Sequence, residues 1–207
     1  MSTTPKTFSD LANGFGIVTV MNARIFELGS DASYIGLDRP LAKNDFVDTG
    51  LYLDTLKIAN LSMEGPTKTI TGGQYSNPLI KYGKTMTAEM QDALGRNETL
   101  ARFFGCEVAE GRISVTDKFP GAFAIEGDTF FIDQESGEQV PVYIFIPQFL
   151  PDGLFNLTQD AEGDATVFDL NGTVSVTNIT DDASEDANGR KVFYEIRAER
   201  FCALKKD

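Results

Sequence analysis

The sequence predicts a mainly β protein: an antiparallel sandwich or barrel-like fold with one short flanking α-helix and a long projecting loop. Three observations predict it. Short runs rich in β-branched and aromatic residues recur along the 207 residues, punctuated by glycine, proline, asparagine and aspartate. Some runs alternate with period two, as where Met86, Ala88 and Met90 interleave with Thr85, Thr87 and Glu89. One segment alone carries both the start and the stop signals of a helix. A single domain is expected over 1–207, with a polar tail over 1–10, the projecting loop over 65–85 and an acidic loop over 181–189.

Taken in order, GIVTVMNARIFEL suits a strand partly buried on both faces, and the glycine, proline and aspartate of 29–44 suit a long loop. LYLDTLKIANLSMEGPTKTI alternates as one long strand, or as two joined by a kink. A strand follows over Thr85 to Asp92, then a short helix that Asn97 can cap, with Leu100, Phe103 and Phe104 on its apolar side and Gly105 at its end. CEVAEGRISVTDKFPGAFAI supplies at least one strand, and GDTFFIDQESGEQVPVYIFIPQ a hairpin turning around Gly137. Pro141 and Pro147 bracket VYIFI, which places that strand near an edge or ends it quickly. A turn at 160–164 precedes another strand, and TVSVTNIT and RKVFYEIRAER form a final pair around the acidic loop.

Composition narrows the function. With 31 acidic and 18 basic residues the net charge is −13, a field that repels nucleic-acid phosphates and argues against tight nucleic-acid binding, but does not exclude a surface past which DNA slides without sticking. Histidine is absent, which removes the commonest general base and transition-metal ligand, so no enzyme and no cofactor are expected. Cys106 and Cys202 are expected to be reduced and buried. No apolar run reaches the roughly 18 residues that would cross a bilayer, and no membrane role is expected.

Three patterns bear on chemistry. Gly83-Lys84-Thr85 ends like a phosphate loop, but Pro78 stands where the first glycine belongs and a strand pattern follows where a helix is needed. Ser184, Asp186, Asn188, Gly189 and Glu195 approximate the spacing of a calcium loop, but strands flank it and Lys191 intrudes, so no metal site is assigned. Two carboxylates for glycoside hydrolysis would need a fixed separation in a cleft, of which the sequence gives no sign. The competing readings are thus a calcium-assisted or carbohydrate-binding β-sandwich and a two-carboxylate hydrolase.

The stretch TITGGQYSNPLIKYGKTMTAEMQDALGRNETLARFFG resembles the major tail proteins, or tail tube proteins, of tailed bacteriophages. It carries a long glycine- and proline-containing loop, a strand ending in an acidic-Ala-Leu element (Lys84 to Leu94) and a short helix ending near glycine (Asn97 to Gly105). A second resemblance covers LFNLTQDAEGDATVFDLNGTV, Leu154 to Val174. The resemblance implies a structural virion protein that closes with copies of itself into hexameric rings, stacked as a tube. Its partners would be itself, the tape-measure protein, the tail terminator and the baseplate or distal tail proteins, with double-stranded DNA passing through unbound. It would be made in the host bacterial cytoplasm and reside in the phage tail. The loop then becomes an assembly arm: Gly72 and Gly73 permit unusual backbone angles, Pro78 stiffens the tip, and Tyr75, Leu79, Ile80 and Tyr82 supply apolar contact to a neighbour. Glu89 and Asp92 are the candidates to face the lumen.

Overall fold

A computed structural model describes residues 15–17, 21–34, 39–53, 56–65, 67–69, 79–81, 84–92, 97–133, 137–154, 168–181 and 189–204. The chain is mainly β, as expected, and its largest sheet is antiparallel and curled. It begins with β1 (Phe15–Ile17) and β2 (Met21–Leu28), which line up along one side of the long strand β11 (Phe123–Asp133). Beyond β2 lies β4 (Phe46–Leu53), preceded in the chain by the two-residue β3 (Leu41–Ala42). On the other side of β11 runs β12 (Gln139–Pro151). The far side of β12 pairs with β14 (Gly172–Val174) and, further along, with β17 (Glu195–Arg197). β14 continues the line of β13 (Phe168–Asp169), and both pair with β8 (Thr85–Asp92), which pairs in turn with β5 (Leu56–Glu64).

The main path across the sheet is therefore β4, β2, β11, β12, β14, β8, β5. β4 and β5 stand at opposite ends of that path, yet only residues 54 and 55 separate them in the chain. The run Phe46 to Glu64 is two strands joined by a break, and the break brings the two ends of the sheet together: β5 lies against β2. Such a corner, where one strand passes from one wall to the other, is how a single sheet encloses a core.

That core holds Ala23, Ile25, Leu51 and Leu53 from one wall and Met86, Ala88, Met90, Leu170 and Val174 from the other. The helix α1 (Asn97–Phe104) plugs it with Leu100, Phe103 and Phe104, and Phe103 meets Phe123 edge-on with ring centroids 5.0 Å apart. Asn97 is the first residue of the helix itself, so the start differs by one position from the expected cap. Gly105 ends it at φ +64°, and a Cβ there would strike the backbone oxygen of Lys118, so only glycine fits.

A second cluster covers the opposite face of β2, β11 and β12, with Phe26, Ala124 and Phe145 meeting Leu41, Phe46, Ile179, Phe201 and Cys202. Its cover is a small sheet in which β15 (Thr177–Thr180) pairs antiparallel with β16 (Arg190–Val192) and parallel with β3. Two expectations are corrected here. The 29–44 loop contains a paired strand, β3, because Leu41 is needed to roof this cluster. VYIFI lies in a central strand rather than near an edge. β12 runs through both prolines because its apolar residues are consumed on two faces. Pro147 sits where the β11–β12 register slips, a bulge that asks for no ladder N–H, and Pro141 lies beyond the residues that β17 covers. Both cysteines are buried free thiols, one in each cluster.

Candidate assembly surface

β5 and β8 form one hairpin, in register from Ile58↔Gln91 to Glu64↔Thr85. β6 (Thr67–Thr69) and β7 (Leu79–Lys81) extend it, pairing Thr67 with Lys81 and Thr69 with Leu79. The predicted 65–85 loop is thus a laddered arm at its base. Leu79 and Ile80 occupy β7, while Gly72, Gly73, Tyr75, Pro78 and Tyr82 lie outside the described residues.

Alternation sorts β8 into two faces. Met86, Ala88 and Met90 are buried, whereas Thr85, Thr87 and Glu89 are exposed. Cross-strand register aligns their neighbours: Glu64 beside Thr85, Ser62 beside Thr87, Thr173 and Leu150, Asn60 beside Glu89, and Gln91 beside Asp169. Gln91 Nε2 donates to Asp169 Oδ1 at 2.9 Å. The result is a face mainly of hydroxyls, amides and carboxylates, on which Leu150 and, by register with Gln91, Ile58 also fall, and none of these paired positions carries Lys or Arg. Glu89 stands on it. Asp92 has the parity of Met90, not of Glu89, and its side chain lies outside the described residues.

The face ends at β5, whose outer side pairs with no strand among the described residues. Met63 sits on this margin, 44% exposed although it lies opposite the buried Met86. β4 is the corresponding margin at the other end of the path, again unpaired on its outer side among the described residues.

Residues 111–190 match the YomU/Tube protein family. No curated protein matches the chain. The YomU/Tube match takes in the β11–β12 hairpin, β14 and β15 and supports the resemblance to tail tube proteins. It overlaps the second stretch that carried that resemblance, 154–174, and begins C-terminal to the β5–β8 hairpin.

The described residues also speak to the competing chemistries. Glu195, the last position of the calcium-like spacing, accepts hydrogen bonds from Arg190 and Arg197, the latter at 2.6 Å. Burial works to raise its carboxyl, but the two guanidinium groups outweigh it and hold Glu195 below the usual range. Asp181 joins the same cluster and is lowered in the same way, burial being overcome by Arg197 and Arg190. Ser184, Asp186 and Asn188 lie outside the described residues; among those described, no group of acids and thiols is placed to hold a metal. Thr85 opens a strand, where a phosphate loop would open a helix.

Sequence reading missed one acid. Glu126 is fully buried and accepts the backbone N–H groups of Phe201 at 2.6 Å and Cys202 at 3.4 Å. Burial raises its carboxyl above the ordinary Glu value, against the pull of those N–H groups and of Arg200 and Arg197. Arg200 pairs with the neighbouring Asp128 and lies over the Tyr143 ring, 4.6 Å from its centroid. The arrangement pins the C-terminal segment onto the sheet. A hydrolytic pair would instead face an open cleft.

Proposed function

We propose that this protein is the repeating block of a bacteriophage tail tube. Copies associate through sheet margins and arms into rings, hexameric by the tail-tube resemblance, which stack around the tape-measure protein. The terminator and the distal tail proteins cap the stack, and double-stranded DNA passes through it without specific binding. The block is made in the host cytoplasm, becomes part of the virion, and performs no catalysis.

The observation that carries this reading is the β5–β8–β14 wall: a mainly polar face, with no Lys or Arg at the cross-strand positions aligned with Thr85, Thr87, Glu89 and Gln91, that runs up to a strand edge unpaired among the described residues. A naked edge is a standing liability unless another strand completes it, and a ring of copies completes every edge at once. Carboxylates and hydroxyls facing a channel would repel phosphates and keep a moving duplex from adhering. The YomU/Tube match favours the same reading.

Electron microscopy of the concentrated protein, with light scattering in parallel, provides the test. Rings or hollow rods are expected. A monomer that stays monomeric at every concentration, even with tape-measure protein added, would overturn the proposal.

A further inference from the structure

Recesses on the surface differ in what their polar groups have left to give. The one bounded by Arg190 and Arg197 is already satisfied, because both guanidinium groups are paired with Asp181 and Glu195. The one along β9 (Glu107–Ala109) and its partner β10 (Arg112–Ser114) offers a single cation, Arg112, on an exposed rim. A third, of about 270 Å³, lies where Tyr34 and the 39–41 stretch meet β12, β15 and β16. Arg39 and Lys191 line it and no acid does so among the described residues, in a chain of net charge −13. Its sign is opposite to that of the molecule as a whole.

The bonds already made there consume acceptors and spare donors. Tyr34 Oη donates to the Pro147 carbonyl at 2.7 Å. Thr177 lines the recess although only 6% exposed, and its hydroxyl donates to Gln148 Oε1 at 3.1 Å. That bond fixes which way the Gln148 amide points and leaves both hydrogens of Nε2 with no acceptor among the described residues. Arg39 donates to both oxygens of Asp45, at 2.6 and 2.7 Å, so its charge is matched. Lys191 has no ion pair with a described residue.

One unmatched ammonium and one planar pair of N–H donors therefore remain, beside the apolar Leu41 and Val176. Charge-assisted hydrogen bonds to a single carboxylate would satisfy both, with Leu41 and Val176 covering a short aliphatic stem. A phosphate monoester brings close to two negative charges at pH 7, one more than Lys191 can match. We propose that this recess is a carboxylate-binding site, selective for a short-stemmed monocarboxylate over phosphate. Two sources present that group: a free aliphatic acid, and a Glu or Asp side chain of a second copy. The site stands apart from the tube reading, and only the second source joins it to assembly.

Calorimetric titration of the unassembled protein with sodium butyrate, at an ionic strength held constant with sodium chloride, tests the site. A Kd on the order of 1 mM is expected, with inorganic phosphate at least about 10-fold weaker. Gln148→Glu keeps the acceptor that Thr177 uses and replaces the two donors with a like charge, so it should weaken butyrate about 10-fold or more. Lys191→Gln, at an exposed position, should weaken it similarly while leaving the unfolding midpoint unchanged, and it serves as the decisive variant should Gln148→Glu misfold. Slower assembly in saturating butyrate, seen by light scattering, would identify the occupant as an acidic side chain of a second copy; unaltered assembly would identify it as a free acid. No heat with butyrate, heat that survives Lys191→Gln, or a preference for phosphate would overturn the proposal. Because the titration needs no assembly, its failure and that of the tube reading are separate results.

Discussion

Glu126 is the residue on which the C-terminal segment turns. Its folded-state carboxyl lies above the ordinary Glu value, so between those two values the folded protein holds a proton that the unfolded chain has released. That contribution to stability is complete below the unfolded value and fades as pH rises through the raised one. Glu195 and Asp181 act oppositely, being lowered, and their contribution is lost as pH falls. Glu126→Gln keeps an acceptor for the Phe201 and Cys202 N–H groups and should stay within about 1 kcal/mol of the parent while flattening the decline that accompanies a rise in pH from the ordinary Glu value through the raised one. Glu126→Ala strands both donors and should cost about 2–4 kcal/mol. Urea titrations across the pH range separate the two. None of this was legible in FAIEGD, where an acid in an alternating strand looks solvent-facing. Its partners lie 75 and 76 residues away, and no local pattern announces so distant a cover.

Among the elements, β8 and α1 were the most legible because each has one buried face, and period two or a capped apolar stripe records that directly. β12 is hard to read for the opposite reason: a strand buried on both faces loses its alternation, and its prolines then look like terminators. The ladder at the arm's base is masked in the sequence by the glycine and proline of the residues that follow it. The β5 margin, by contrast, yields a direct prediction. Met63→Lys should cost less than about 1 kcal/mol in chemical denaturation, because a half-exposed lysine can keep its ammonium in water. It should nevertheless abolish assembly seen by light scattering, since an edge lysine is the common device that blocks strand addition.

For the whole molecule, the fold class and the lopsided charge were readable in the sequence, but the placement of that charge was not. The sequence grouped Glu89 with Asp92, whereas parity separates them, and only the register across three strands reveals which acids share a wall with Glu89. The wall has a measurable consequence. Tubes carrying Glu64→Lys and Glu89→Lys should retain linear duplex DNA at low ionic strength and release it as salt is added, whereas parent tubes should let it elute freely. Equal elution from both would remove Glu64 and Glu89 from the lumen.

The short join between β4 and β5 bears on mechanics. One uninterrupted piece of backbone supplies both borders of the sheet among the described strands. In a ring closed border to border, circumferential tension would enter each subunit on one border and leave by the other through peptide bonds, bypassing the weaker ladder between them. A pipe built this way would resist bursting under the pressure of packed genome even where its individual subunits are only modestly stable.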